Sequence, residues 1–274
     1  MSGPDRVQMH FNFDFSTGQI LWTLTFAALL VLLVVLLGRD RVRRFPWFTT
    51  LMVLMALDRL AGRLLSHRIA PVVSDWIFLT LADLSAIIAL LVVVEIARRA
   101  FAGADRKMWT VGTLALLAVG GVVLALWGRW PPFNAIVAAS KLSALPLMNL
   151  FRQKANLLAD VLIVQLGLLV VLFGRYFKAG WHSHTLQLAI GLAMASLSRL
   201  AIYGALQSPA MQTFHSQDEY KRAVDLMHSL DNANSIIFIV VLVWWIICLW
   251  IDEPGAESRD QGTGIREQET GASS

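Results

Sequence analysis

Long apolar runs, separated by short polar or basic stretches, occupy most of the sequence. A helix needs about 20 apolar residues to cross the roughly 30 Å of bilayer hydrocarbon, and the runs reach that length. The pattern therefore predicts an all-α protein, a polytopic membrane helix bundle with seven transmembrane helices. The predicted spans are residues 20–38, 46–66, 75–97, 108–128, 156–177, 185–207 and 230–251.

Composition agrees with this pattern. Hydrophobic residues make up 57% of the chain and charged residues 15%, whereas soluble proteins have about 25% charged residues. All tryptophans except Trp244 and Trp245 lie near a predicted span end, where amphipathic rings favour the membrane interface. The net charge of +4 comes mostly from arginines beside the spans, so we expect the lipid bilayer and no nucleic acid as a partner.

The basic residues between the spans predict an orientation. Cationic side chains are retained on the cytoplasmic side of a membrane, most strongly in short loops. The first and third connections carry the densest groups, Arg39, Arg41, Arg43 and Arg44, then Arg98, Arg99, Arg106 and Lys107. The amino terminus is therefore predicted outside and the carboxyl terminus in the cytoplasm, in a bacterial inner membrane.

The remaining segments complete a predicted domain organisation. Residues 1–19 lack a cleavable signal pattern and are predicted to be an extracytoplasmic segment before the transmembrane domain, residues 20–251. An outer loop, residues 129–155, is predicted to carry an interfacial or re-entrant helix over residues 133–151, because Lys141 and Pro146 oppose an eighth span. Residues 252–274 have no apolar period and are predicted to be a disordered cytoplasmic tail.

Ionisable residues within the spans are the main candidates for function. Each costs about 2.5–3.5 kcal/mol at mid-bilayer, so such residues face partners or water. Counting about 1.5 Å per residue from the outer span ends places Asp58, Asp83 and Arg199 roughly 12 Å deep. Helical spacing adds further polar side chains near this level, which gives a predicted polar belt in the outer half of the bundle. Its members are Asp58, Arg59, Arg63, Asp83, Asp160, Arg199, Tyr203, Asp231 and Asn234.

Two interpretations of the polar belt remain open. The aspartates and arginines are nearly balanced, so they can neutralise one another and fix the helix register. In a wetted cavity the same set forms a binding site for a small polar or charged ligand. Glu95 lies apart, near Arg98 and Arg99, and is predicted to form a surface ion pair. Small residues at Gly121 and Gly191 predict close helix packing.

Sequence motifs for cofactors and catalysis are absent. The seventh predicted span has no lysine for a retinal Schiff base, and the histidines fall at span ends or in loops, unsuited to a bundle haem. No cofactor is expected, and without a phosphate loop or a nucleophile motif an enzyme is disfavoured. One metal alternative is a zinc site from His67, His215 and His228 with Asp58 or Asp231.

Short motifs suggest a family resemblance. They are Phe45-Pro46-Trp47-Phe48, Glu95-Ile96-Ala97-Arg98, Val164-Gln165 and Arg175-Tyr176-Phe177. With the layout of residues 45–250, they resemble a group of uncharacterised seven-helix bacterial integral membrane proteins. The topology is also similar to seven-helix sensor regions of bacterial histidine kinases, although no kinase domain follows Ile251. This likeness implies architecture and no catalytic residue.

The sequence thus leaves three functional hypotheses. The preferred one is a receptor-like or accessory membrane protein that binds a small polar ligand, or a partner membrane or cytoplasmic protein, through the polar belt. The alternative is a transporter or channel subunit for a small polar solute, which requires the belt to continue inward through Gln165 and Glu95. The third is an intramembrane metal-dependent hydrolase using the zinc site above.

Overall fold

The computed structural model describes residues 17–65, 71–100, 106–127, 145–173, 184–207 and 216–251. These residues are almost entirely helical, which confirms the all-α class for this part of the chain. The predictions for residues 1–16, for most of the interfacial segment and for the tail from residue 252 fall outside the described residues.

Eight helices form the described part. They are α1 (Thr17–Gly38), α2 (Arg41–Arg44), α3 (Pro46–Leu65), α4 (Pro71–Ala100), α5 (Arg106–Leu126), α6 (Leu145–Phe173), α7 (His184–Leu206) and α8 (Gln217–Trp250). Five of them, α1, α4, α6, α7 and α8, are long and apolar enough to cross a membrane, and α5 has a shorter apolar stretch. Helix α3 has 20 residues but carries Asp58, Arg59 and Arg63, so it is less apolar.

Two helices begin well before the predicted spans. Helix α6 begins at Leu145, so residues 145–155 continue this helix instead of belonging to the predicted outer loop. Pro146 is tolerated because it lies in the first turn, where its missing N–H has no partner to lose. Helix α8 begins at Gln217 because the Ser216 side chain accepts the N–H of Glu219 at 3.2 Å, as in a capping box.

Successive helices alternate in direction and form a closed ring, in which α1 with α8 and α4 with α6 are parallel neighbours. The order of contacts is α1, α3, α4, α6, α7, α8 and back to α1, and α5 packs outside the ring on α6. We call the end where α1 begins and α3 stops the Asp58 end. We call the opposite end, where α1 stops and α3 begins, the Arg44 end. This alternation follows the up-and-down order predicted from the sequence for a bundle with short connections.

The apolar core is densest toward the Arg44 end. Phe48 of α3 and Trp245 of α8 are fully buried and meet edge to face, with ring centroids 5.1 Å apart. Gly191 of α7 makes room for the indole, because a Cβ there would lie 2.7 Å from Trp245 Cε2. This confirms the predicted close approach at Gly191. The same prediction is wrong for Gly121, where a Cβ would meet nothing within 4 Å, and its neighbour Gly120 packs on Leu162 instead.

Large apolar side chains also cover the outer surface of the bundle. Leu37 of α1 is 67% exposed, and Leu114 and Leu126 of α5 are 69% and 81% exposed. A soluble protein seldom presents such a continuous apolar exterior, whereas hydrocarbon chains solvate it readily. The surface is therefore that of a multi-pass helical bundle in contact with lipid.

Candidate functional site

The structure divides the predicted polar belt among separate places. Side chains from α3 line a pocket, a pair joins α6 to α7, and a further carboxylate lies between α4 and α6. The pocket holds Asp58, Arg59 and Arg63, the pair is Asp160 with Arg199, and the single carboxylate is Asp83.

The pocket opens at the Asp58 end between α1, α3 and α4. Its volume is about 620 Å³, and its lining residues are Gly18, Gln19, Trp22, Thr23, Asp58, Arg59, Gly62, Arg63 and Phe78. Residues four apart lie on one side of a helix, so Arg59 and Arg63 share a face, as do Asp58 and Gly62, and both rows line this wall. A Cβ on Gly62 would meet nothing within 4 Å, which leaves open space between those charges.

The charged groups in the pocket have unequal surroundings. The Arg63 guanidinium lies 5.8 Å from the centre of the Trp22 ring, and Trp22 stacks on Phe26 at 5.5 Å. This cation–π contact positions Arg63 at the pocket rim. Asp58 and Arg59 are half-buried, and within the described part of the chain neither forms an ion pair or a side-chain hydrogen bond. The side chains of Asp58 and Arg59 can therefore both form hydrogen bonds or ion pairs with a ligand.

The Asp160–Arg199 pair is a tight bridge between α6 and α7. Arg199 Nη2 lies 2.5 Å from Asp160 Oδ1, and Arg199 Nε donates to both carboxylate oxygens at 3.1 and 3.2 Å. Ser196 Oγ accepts a further hydrogen bond from Nη2 at 3.0 Å. The Asp160 side chain is 11% exposed. This pair is a contact of the kind that the neutralising interpretation predicted, and it involves two of the nine belt residues.

Other members of the predicted belt contact neighbouring helices or lie on the surface outside the pocket. Ser198 Oγ donates to Asn234 Oδ1 at 2.8 Å, which joins α7 to α8. Tyr203 packs against an apolar cluster that contains Leu157 and Leu200. Asp231 is exposed on α8 and does not line the pocket.

Asp83 is a half-buried carboxylate with incomplete hydrogen bonding. Its Oδ1 atom is shielded from solvent and has no hydrogen-bond partner among the described residues. Arg152 of α6 is near enough to attract the carboxylate, while its own Nη2 donates to Asn149 Oδ1 at 2.8 Å. The attraction thus joins α4 to α6 without a direct hydrogen bond.

Glu95 corrects a prediction from the sequence. Its side chain is 6% exposed, so the expected surface ion pair is wrong, although Arg99 Nη2 does lie 3.8 Å from its carboxylate. Glu95 Oε2 accepts the backbone N–H of Phe48 at 3.1 Å, in the first turn of α3. Phe45, which precedes Pro46, has no side-chain acceptor, so a carboxylate from α4 supplies the cap that α3 itself lacks.

The neighbours of Glu95 strengthen this junction at the Arg44 end. Arg99 Nη2 donates to the carbonyl oxygen of Arg44, and its guanidinium lies 4.8 Å from the centre of the Phe45 ring. The end of α4 is thereby joined to α2 and to the start of α3. Sequence spacing identified the arginines next to Glu95 but carried no signal for this cap, because the capped residue lies 47 positions away.

Gln165 does not extend a polar path through the bundle. It lines an apolar groove of about 230 Å³ between α5 and α6, and its Oε1 atom has no hydrogen-bond partner in the described part of the chain. The inward continuation through Gln165 and Glu95, which a transport path required, is therefore not seen in the described residues. No group of three or more histidine, cysteine, aspartate or glutamate side chains among the described residues is arranged to hold a metal.

Comparison of the chain with protein-family models, curated proteins and solved structures gives no match. The resemblance to seven-helix bacterial membrane proteins stays a prediction from short motifs. Two of those motifs meet in the structure, since Phe48 of the first donates its N–H to Glu95 of the second.

Proposed function

We propose that the protein is a seven-span membrane protein of a bacterial inner membrane, with its Asp58 end outside and its Arg44 end in the cytoplasm. Five helices are long and apolar enough to cross a membrane, and α3 and α5 alternate with them in direction. The charges of α3 lie beside α1 and α4, which offsets part of their cost in lipid. The arginines between α1 and α3 favour this orientation.

We further propose that the protein is a receptor-like or accessory protein that binds a small polar ligand in the pocket between α1, α3 and α4. The observation that carries this proposal concerns Asp58 and Arg59. Both are half-buried in the pocket wall, and neither forms an ion pair in the described part of the chain. Charged groups held inside a bundle without partners are costly and mark binding sites. The pocket volume of about 620 Å³ lies in the range typical of small-molecule sites, about 300–1,000 Å³.

The pocket wall favours a ligand with an anionic group. Arg59 and Arg63 contribute two positive charges against one negative charge from Asp58. A guanidinium suits a carboxylate or phosphate because it offers parallel N–H donors. Asp58, Gln19 and Thr23 add acceptors for hydroxyl or ammonium groups on the same molecule. A small carboxylate with a second polar group fits this arrangement.

The interior beyond the pocket favours binding over transport. Leu32 and Leu36 of α1, Met52 of α3 and Leu242 of α8 are at most 1% exposed, and Phe48 and Trp245 fill the space beside them. Among the described residues, these buried apolar side chains offer no polar route from the pocket toward the Arg44 end. The pocket therefore serves best as a site that a ligand enters and leaves from one side.

Binding by the purified protein in lipid nanodiscs tests the proposal. Isothermal titration with succinate, glycine, choline and glucose samples anionic, zwitterionic, cationic and neutral probes. We expect succinate or glycine to bind, and Arg59→Gln to weaken that binding about 10- to 100-fold, the loss for a charge-assisted hydrogen bond. Arg152→Gln is the matched control, because Arg152 is half-buried but does not line the pocket. Equal binding by the Arg59 and Arg152 variants, or no heat with any probe, would refute the site.

A further inference from the structure

The Arg44 end carries a dense group of arginines. We use the term arginine cluster for Arg39, Arg41, Arg43, Arg44, Arg98 and Arg99. They come from the end of α1, from α2 and from the end of α4. The hydrogen bond from Arg99 to the Arg44 carbonyl oxygen shows that these elements meet. Arg39, Arg43 and Arg98 are exposed, and the Arg43 side chain reaches 86%.

Among the described residues, the acidic side chains near the arginine cluster are Glu95 and Asp40. Glu95 is buried and caps α3, so it is not presented at the surface. Asp40 is exposed and lies 3.7 Å from Arg43, a distance at which an exposed ion pair contributes little. Among the described residues of the Arg44 end, the surface therefore has a large excess of positive charge.

Exposed tryptophans lie beside the arginine cluster. Trp47 at the start of α3 is 42% exposed and Trp250 at the end of α8 is 57% exposed. The Arg39 guanidinium lies over Trp250, 5.1 Å from the ring centre. Indole rings occupy the level of lipid headgroups, so this contact holds a guanidinium at that level.

Apolar surface begins directly beside these groups. Leu37 of α1 is 67% exposed and lies two residues before Arg39, and Ile247 of α8 is 53% exposed and lies three residues before Trp250. A molecule seated here meets guanidinium groups at its head and aliphatic side chains along its length. An anionic phospholipid has this division, with a phosphate group joined to acyl chains, whereas an acidic peptide or a nucleic acid lacks the acyl chains.

We propose that the arginine cluster, with Trp250 and the exposed faces of α1 and α8, binds the headgroup of an anionic phospholipid. Guanidinium groups donate paired hydrogen bonds to phosphate oxygens, and each basic residue near an anionic surface contributes attraction. Basic sites between transmembrane helices are a known form of lipid recognition. This site lies at the opposite end from the ligand pocket and does not depend on it.

Lipid binding to the full-length protein tests the proposal. Native mass spectrometry in detergent compares phosphatidylglycerol with phosphatidylcholine of the same acyl chains. We expect phosphatidylglycerol to bind at least tenfold more tightly, and the double variant Arg39→Gln with Arg43→Gln to weaken phosphatidylglycerol binding about 10- to 30-fold. The double variant Lys221→Gln with Arg222→Gln is the matched control, since both residues are exposed at the other end. The control should keep the preference.

Three results would overturn the proposal. They are equal affinity for the two lipids, an equal loss in the control variant, and displacement of the bound lipid by millimolar inorganic phosphate. The last would show a phosphate site without lipid character. Because a double variant can misfold, Arg43→Gln alone gives a second measurement. Its side chain is 86% exposed, so the fold should persist, and an unchanged lipid preference would also count against the proposal.

Discussion

Replacing Glu95 by leucine tests whether a carboxylate from α4 stabilises the start of α3. The carboxylate accepts the Phe48 N–H at 3.1 Å in a site that is 6% exposed. A hydrogen bond to a charged group contributes about 1.5–3 kcal/mol, and loss of a helix cap costs about 0.5–2 kcal/mol. Arg99, at 3.8 Å and partly exposed, adds about 0–1 kcal/mol. We therefore expect Glu95→Leu to lower the free energy of unfolding by about 2 kcal/mol.

A conservative variant separates the cap from the charge. Glu95→Gln retains a carbonyl acceptor for Phe48 and loses only the charged part of the bond, so its expected loss is about 1 kcal/mol. The measurement is unfolding in mixed micelles with increasing sodium dodecyl sulfate, followed by far-ultraviolet circular dichroism.

Asp40→Asn is the control for removing a carboxylate at the same end, because the Asp40 side chain is 76% exposed. It should change the free energy of unfolding by less than about 0.5 kcal/mol. The reasoning about the cap fails if the leucine variant matches Asp40→Asn, or if the glutamine variant is less stable than the leucine variant.

Further predictions concern packing and the α6–α7 bridge. Gly191→Leu should lower the unfolding midpoint and reduce the free energy of unfolding by at least about 1–3 kcal/mol, because the new side chain would overlap Trp245. Gly121→Leu is the control, since a Cβ at that position meets nothing within 4 Å, and it should leave the midpoint unchanged. Similar midpoints for the two variants would contradict the close contact between Gly191 and Trp245. A double-mutant cycle of Asp160→Asn and Arg199→Gln should give a coupling of about 0.6–1.7 kcal/mol, the range for polar pairs between membrane helices. Additive effects in the same unfolding assay would show that the bridge contributes nothing.

The helix pattern follows from the sequence more fully than the helix ends. Apolar length and flanking basic residues locate α1 and α3 to within a few residues. The starts of α6 and α8 are missed because polar and charged residues lie in the first turns of each helix, and the uninterrupted apolar run begins only further along the helix. Ser216 extends α8 through a polar stretch by capping it, and Pro146 is compatible with a first turn. Backbone hydrogen bonding, and not hydropathy, sets these boundaries.

The partners of the charged residues follow from the sequence only in part. Of the residues chosen by depth counting, Asp58 and Arg59 line a pocket and Arg199 pairs with an aspartate. Depth counting does not identify which charged residue pairs with which, because the direction in which each helix face points depends on how the helices pack around the ring. Asp160 is paired with Arg199 from a position 39 residues away. The cap that Glu95 provides for α3 could not be predicted from the sequence for the same reason.

The cap on α3 also has a consequence for the biogenesis of the protein. The acceptor for the Phe48 N–H lies 47 residues further along the chain. At about 5–20 residues per second, a ribosome needs roughly 2–9 s to synthesise that interval. During this time α3 has three charged side chains and an incomplete first turn. The Phe48 N–H of nascent α3 can therefore find this acceptor only after the end of α4 has been made, so the junction between the two helices forms after both have been synthesised.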